Sequence, residues 1–308
     1  MKTKTKFFLA AVLAISVFFV SCKKTNTDST DNTDLATHAD DQSNFSQNSD
    51  DIATDANNTI DSYDAFNGHG PTNTEGLPCN ASSVLDSANG LRTITITYNG
   101  PNCLGNRTRV GVVVLSMPLA MHWKDAGAVL TINVQNLKIT RVSDGKSITI
   151  NGTTTVTNVS GGRLRDLASL GTITHTIASS GMTVTFDNGS QRSWQIAKQR
   201  VFTYNNGIVI TTTGTHVDGT TTNISEWGTN RFGNSFVTAI TQPMVIRQDC
   251  SFRLVSGQVT HSRLLATVVV TFGLDATGNP VTCPAGTFYF KAVWTGANGV
   301  VRTYILPY

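Results

Sequence analysis

From Arg92 to Tyr98 the chain reads Arg-Thr-Ile-Thr-Ile-Thr-Tyr, which puts Ile94, Ile96 and Tyr98 on one face and three threonines on the other. Side chains alternate across a strand, so this is the signature of a half-buried β-strand. Met182 to Phe186, Thr172 to Ile177 and Ala266 to Phe272 repeat the pattern, and all are rich in the β-branched residues that pleated surfaces accept. Nine Asn-Gly or Asp-Gly pairs punctuate the chain, among them Asp144-Gly145, Asn188-Gly189, Asn206-Gly207, Asp218-Gly219 and Asn298-Gly299. Such pairs suit type I′ hairpin turns, whose two central residues both need positive φ. About 12 to 14 strands follow, antiparallel where the turns are short. The fold class is all-β, a large antiparallel meander or sandwich, with one sheet or two left open.

The first 76 residues do not share this pattern. Residues 23–43 are rich in Thr, Asn, Asp and Ser and poor in apolar side chains. They bury too little to fold alone and read as a disordered, flexible tether. In residues 44–76, Phe45, Ile52, Ala56, Ile60 and Tyr63 recur at helical spacing. They predict a short N-terminal helix and linker, docked on the body because its composition is too poor in helix formers to stand alone. The all-β body spans 77–308.

Residues 1–21 form a signal segment. Lys2, Lys4 and Lys6 precede an apolar run from Phe7 to Val20, and Cys22 follows small Ser21. A membrane-spanning helix needs roughly 20 apolar residues, and this run is shorter. Phe19-Val20-Ser21-Cys22 resembles the lipobox of bacterial lipoproteins, with Phe19 where Leu, Val or Ile is commoner. The resemblance implies cleavage before Cys22 and lipidation there, including palmitoylation, with two or three acyl chains for a stable hold on the membrane. Position 23 is Lys, not the aspartate that retains lipoproteins at the inner membrane. Resemblance to the sorting signals of such lipoproteins implies the outer membrane as the expected location, on either the periplasmic or the surface leaflet.

Charge is divided along the chain. Residues 25–91 hold 12 acids and no Lys or Arg, whereas residues 92–308 hold 18 Lys and Arg against 8 acids. A basic body could meet anionic lipid A, an anionic glycan or the acidic leader itself, or simply be solvated. Nucleic acid is not an expected partner of an exported lipoprotein.

Cys79, Cys103, Cys250 and Cys283 remain once Cys22 is set aside. An even set in an oxidising compartment suggests two disulfides, with three pairings open. An internal similarity favours one of them. Leu91-Arg-Thr-Ile-Thr-Ile-Thr-Tyr98 resembles Leu265-Ala-Thr-Val-Val-Val-Thr-Phe272, and each is flanked by cysteines. This Cys–strand–Cys unit near each end of the body predicts Cys79–Cys103 and Cys250–Cys283, each worth about 3 kcal/mol in the chain-entropy account.

The lipobox, the polar leader, the Thr-Ile-Thr-Ile-Thr-Tyr strand before a Cys, the basic Arg107-Thr-Arg109, and the blocks Asn151 to Asn158 and Cys250 to Gly257 together resemble a family of all-β outer-membrane lipoproteins of the Bacteroidetes type. The resemblance covers roughly 77–308 and implies a fold and a location, but no activity. The stretch from Phe272 to Cys283 departs from the repeat, being six residues longer than that from Tyr98 to Cys103.

Candidate chemistry is thin. His216, Asp218, Glu226 and Trp227 form the best local cluster, since a His with two carboxylates can serve acid–base work or bind a metal. A two-residue turn at Asp218-Gly219 disperses it, placing Val217 opposite Thr220, His216 opposite Thr221 and Glu226 near Thr211. His175, between Ile173 and Ile177, reads as a core histidine, and His122 and His261 lack partners at ligand spacing. Glu75 and Glu226 are the only glutamates, too few placed carboxylates for a glycosidase. No Gly-Xaa-Ser-Xaa-Gly elbow, phosphate-binding loop or His-Glu-Xaa-Xaa-His is present.

Trp123, Trp194, Trp227 and Trp294 would either pack the core or stack on sugars, and the core is favoured. Asp28-Ser29-Thr30 and Asp86-Ser87-Ala88 resemble the O-glycosylation signal of exported Bacteroidetes proteins, with Ser29 the better site. No catalytic residue, metal ligand or cofactor is assigned. The expected protein is a non-enzymatic, lipid-anchored envelope protein with a structural, adhesive or binding role. The alternatives are a carrier for a lipid or acyl ligand in an apolar concavity, and an unrecognised hydrolase.

Overall fold

Period-two patterning becomes a single antiparallel sheet in the computed structural model of the chain, which describes residues 27–67, 77–263, 266–283, 286–296 and 299–308. The strands are β1 (Ala81–Ala88), β2 (Leu91–Pro101), β3 (Arg107–Pro118), β4 (Ala128–Arg141), β5 (Ser147–Asn158), β6 (Thr172–Phe186), β7 (Gln191–Tyr204), β8 (Ile208–Gly214), β9 (His216–Asp218), β10 (Thr221–Thr229), β11 (Ser235–Arg247), β12 (Arg253–Arg263), β13 (Ala266–Leu274), β14 (Tyr289–Thr295) and β15 (Val301–Pro307). Neighbours in sequence are neighbours in space except near β8 to β10, so the architecture is a meander of one sheet rather than a sandwich. The strands predicted at 172–177 and 182–186 are the two halves of β6.

The turn chemistry is only partly as predicted. Asn89 (φ 54°) and Gly90 (φ 75°) both take the left-handed conformation of a type I′ turn. At Asp144-Gly145, Asn188-Gly189 and Asp218-Gly219 only the glycine has positive φ. Asn99-Gly100 and Asn151-Gly152 lie inside β2 and β5. Asn298 lies outside the described residues.

A row of bulges creases the sheet. The register shifts between Val110 and Val112 in β3, Val134 and Leu137 in β4, Asn151 and Thr153 in β5, and Ala178 and Thr183 in β6. Gly111 is forced by this crossing, since a Cβ there would lie 2.6 Å from the Asn136 carbonyl oxygen. Bulges raise the local twist and bend a strand. Four of them side by side let a broad sheet curl.

What the sheet curls around is the chain's own leader. Helix α1 (Thr27–Ser62) lies along the concave face. Its Phe45, Ile52, Ala56 and Ile60 pack with Ile94 and Ile96 of β2, Leu115 of β3, Ile132 of β4, Ile150 of β5, Val184 of β6 and Trp194 of β7. Phe45 and Ile60 are fully buried, each contributing about 1.5–3 kcal/mol of transfer free energy. Of residues 37–62 only Asp51 and Asn58 are exposed. The predicted helix at 44 onward is therefore correct in place but begins at Thr27, and 27–43 is helical rather than a tether. The composition argument failed because polar contacts from Asp40, Asp41 and Gln42 hold the helix to the sheet there. Among the described residues no helix is long and apolar enough to cross a membrane. Cys22 lies outside the described residues, and Ser29 falls in the first turns of α1.

Both predicted disulfides are present: Cys79–Cys103 and Cys250–Cys283, each with Cα atoms 5.1 Å apart. The repeated unit is larger than one strand. Cys79 precedes β1 and Cys103 follows β2, while Cys250 precedes β12 and Cys283 follows β13. Each bridge thus closes the open end of a two-stranded hairpin. Asp249 stands beside the second bridge, but both sulfurs there are consumed in the disulfide.

Candidate functional site

The polar contacts between α1 and the sheet gather at one buried seam. Gln42, Ser46 and Asp50 follow one another at four-residue intervals, which stacks them as a stripe on one side of α1. Opposite them, β7 presents Trp194, Lys198 and Arg200, all on the concave face by strand alternation. β10 adds Glu226.

Glu226 is 1% exposed and all of its acceptor capacity is used. Its Oε1 meets Lys198 Nζ at 2.7 Å and accepts from Ser46 Oγ. Its Oε2 accepts from Trp194 Nε1 at 2.9 Å and from Gln42 Nε2. Lys198 Nζ also lies 3.2 Å from Asp50 Oδ1, which Arg200 Nη2 approaches to 2.7 Å. Two cations and two anions balance within the seam. Burial pushes the Asp50 carboxyl up, but Lys198 and Arg200 outweigh it and hold the pKa below the ordinary value. For Lys198 burial pulls down, and Asp50 and Glu226 outweigh it upward.

Similar pairs continue along the helix. Asp40 takes a bidentate contact from Arg141 at 2.7 and 2.9 Å and a third from Lys146 at 3.0 Å. Asp41 receives both sides of the Arg231 guanidinium at 2.6 Å, and Arg231 also reaches Asp187 at 2.8 Å. The sequence offered the acidic leader as one partner for the basic body, and that is how these cations are used.

The predicted His216, Asp218, Glu226 and Trp227 cluster divides across the sheet. Asp218 pairs with Thr221 and His216 with Ile224, not with Thr221 as the turn argument had it. Glu226 pairs with Ile196 of β7 and Thr238 of β11, not near Thr211. The cause is an excursion of the chain. After Gly214 it leaves the sheet as the β9–β10 hairpin, and β10 re-enters below β8, so the two share one lane between β7 and β11. Gly214 permits the crossing, since a Cβ there would sit 2.0 Å from the Asn223 carbonyl oxygen. Glu226 ends up in the concave seam. His216 stacks on Trp227 on the other face, with ring centroids 4.1 Å apart and planes 15° apart. Those two, with Asp218, Ile224 and Val237, line a shallow recess of about 240 Å³.

Compared with known protein families, curated proteins and solved structures, the chain matches none.

The remaining sequence candidates fall as follows. His175 is a core residue, its ring edge-on to Trp123 and Phe202 at 5.1 and 4.8 Å, and burial pulls its pKa down to about 3. His261 is buried too, bonded to Thr238 Oγ1 at 2.9 Å, with its pKa pulled down to about 3 by burial and then by His38. His122 sits at the surface, 3.4 Å from Asp125. Trp123, Trp194 and Trp294 are buried, and Trp227 is half-buried. Ser87 is exposed in β1. Sequence reasoning missed Lys198, Arg200 and Asp50. The signal was there in Trp194, Lys198 and Arg200, which alternate with Ile196 and Phe202 on an apolar face where a charge needs a partner.

Proposed function

We propose that this is a non-enzymatic, lipid-anchored envelope protein held at the outer membrane by acyl chains on Cys22, with a structural or adhesive role exercised through the convex face of its sheet. The supporting observation is an inverted charge distribution. Lys198, Arg200, Arg109 and Arg141 point inward to the helix. The outward positions of β5, β6 and β7 are Thr, Ser, Asn, Gln, Ala and Val without a charge, as in Thr153, Thr155, Thr176, Gln195, Ala197 and Gln199. A broad uncharged face rich in hydroxyls and amides suits a neutral, hydrogen-bonding partner such as a glycan surface.

The carrier reading loses support from the same geometry. The groove that would hold an acyl chain is filled by α1, and the space left beside Ile52, Ile132, Ile177 and Met182 is about 10 Å³, room for about one water. An enzymatic role loses support from the separation of His216 and Glu226.

The test has two parts. Labelled fatty acid should be incorporated into the wild-type protein and not into Cys22→Ala. The purified protein should be retained on immobilised neutral polysaccharides, and retention should persist in high salt, because screening weakens only charged contacts. Retention on anionic polysaccharides alone, abolished by salt, would overturn the assignment to the convex face.

A further inference from the structure

The seam brings an amine, a carboxyl and a second carboxylate into direct contact where water is nearly excluded. Lys198 and Glu226 have side chains 5% and 1% exposed, and Asp50 is 25% exposed. Lys198 Nζ stands 3.2 Å from Asp50 Oδ1, a hydrogen-bonded ion pair that holds the amine directly against the carboxyl group. Glu226 Oε1 is 2.7 Å from the same amine and is fixed by Ser46, Gln42 and Trp194. Phe45 closes over Trp194, with ring centroids 4.5 Å apart.

We propose that Lys198 and Asp50 condense to a side-chain amide bond, stapling α1 covalently to β7, with Glu226 as the proton relay. Glu226 takes a proton from the Lys198 ammonium and frees its lone pair. The nitrogen attacks Asp50 Cγ, forming the C–N bond. Arg200, 2.7 Å from Oδ1, stabilises the negative charge that builds on that oxygen. The second carboxyl oxygen receives the relayed proton and one more from the attacking nitrogen, and departs as water. The ammonium and carboxylate thus become an amide and one water, with no oxidant, metal or cofactor.

The charge balance of the seam survives the reaction. Condensation removes one cation and one anion and leaves Arg200 and Glu226 still balanced. The partly exposed side of Asp50 gives the water a way out. The product would tie residues separated by 148 positions, securing a helix whose Asn, Asp, Ser and Thr content gives it little propensity of its own.

The decisive measurement is a tryptic digest of the mature wild-type protein after full reduction, read by tandem mass spectrometry. Trypsin cuts after a free lysine but not after an acylated one. The expected result is a branched peptide joining the Asp50 and Lys198 segments, lighter by one water than the sum of its parts, with no cleavage after Lys198. The same digest of Glu226→Gln should return linear peptides cut at Lys198. Linear peptides from the folded wild type would overturn the proposal, and no variant needs to fold for that outcome to count. A branched peptide that persists in Glu226→Gln would overturn the relay role of Glu226.

Discussion

Arg109 Nη1 meets Asp55 Oδ2 at 2.6 Å, joining β3 to the C-terminal part of α1. The guanidinium also lies 4.5 Å from the centre of the Tyr98 ring, whose hydroxyl donates to the same Asp55 oxygen at 3.1 Å. The two partners are not equivalent. Burial pushes the Asp55 carboxyl above its ordinary pKa despite Arg109, so its charge is held at a cost.

Removing either charge leaves the other buried without its partner, since the Arg109 and Asp55 side chains are 8% and 19% exposed. Arg109→Ala and Asp55→Asn are each expected to cost about 3–5 kcal/mol. The double variant should lose less than the sum of the two, because it leaves no unpaired charge. Urea denaturation of the three variants at neutral pH checks this. Additive losses would show that the two side chains act independently.

Asp61, near the end of α1, gives a pH signature. Burial, ahead of the opposing pull of Arg165 and Arg163, pushes its carboxyl up to about 6. A raised carboxyl pKa stabilises the fold below the unfolded value near 3.8 and loses that contribution as pH climbs through about 6. Asp61→Asn should therefore raise the melting temperature at neutral pH, with the gain over wild type shrinking below about pH 4. A gain independent of pH would place its origin elsewhere.

Gly214 tests the shared lane of β8 and β10. Gly214→Ala drives a Cβ against the Asn223 backbone and is expected to cost about 1–3 kcal/mol. Thr213→Ala, on the outward face next door, should stay within about 0.5 kcal/mol. Thermal melts of the pair decide it, and limited proteolysis should show the β9–β10 hairpin cut faster in the glycine variant. A silent Gly214→Ala would mean that the two strands are spaced further apart.

The body was legible because its signal is local. Ile94, Ile96 and Tyr98 declare a face within seven residues, and Asn89-Gly90 declares a turn within two. The core stripe of α1 was equally readable from Phe45, Ile52, Ala56 and Ile60, and the repeated cysteine spacing led to both disulfides. What could not be read was pairing over distance. Glu226 was placed by counting along a regular ladder from Asp218, and the count failed because the chain leaves the sheet after Gly214. The helical state of 27–43 was hidden for a related reason. Asp40 and Asp41 are unremarkable in a polar segment until Arg141 and Arg231 arrive from far along the chain.

That remoteness shapes how the molecule can be made. Asp41 is bound by Arg231, 190 residues later, and the groove that shelters the leader does not exist until β10 has been delivered. A helix rich in Asn, Asp, Ser and Thr does not nucleate alone in water, and contacts this distant are slow to form. Helix α1 is thus among the last elements to become ordered, although it precedes every strand in the chain.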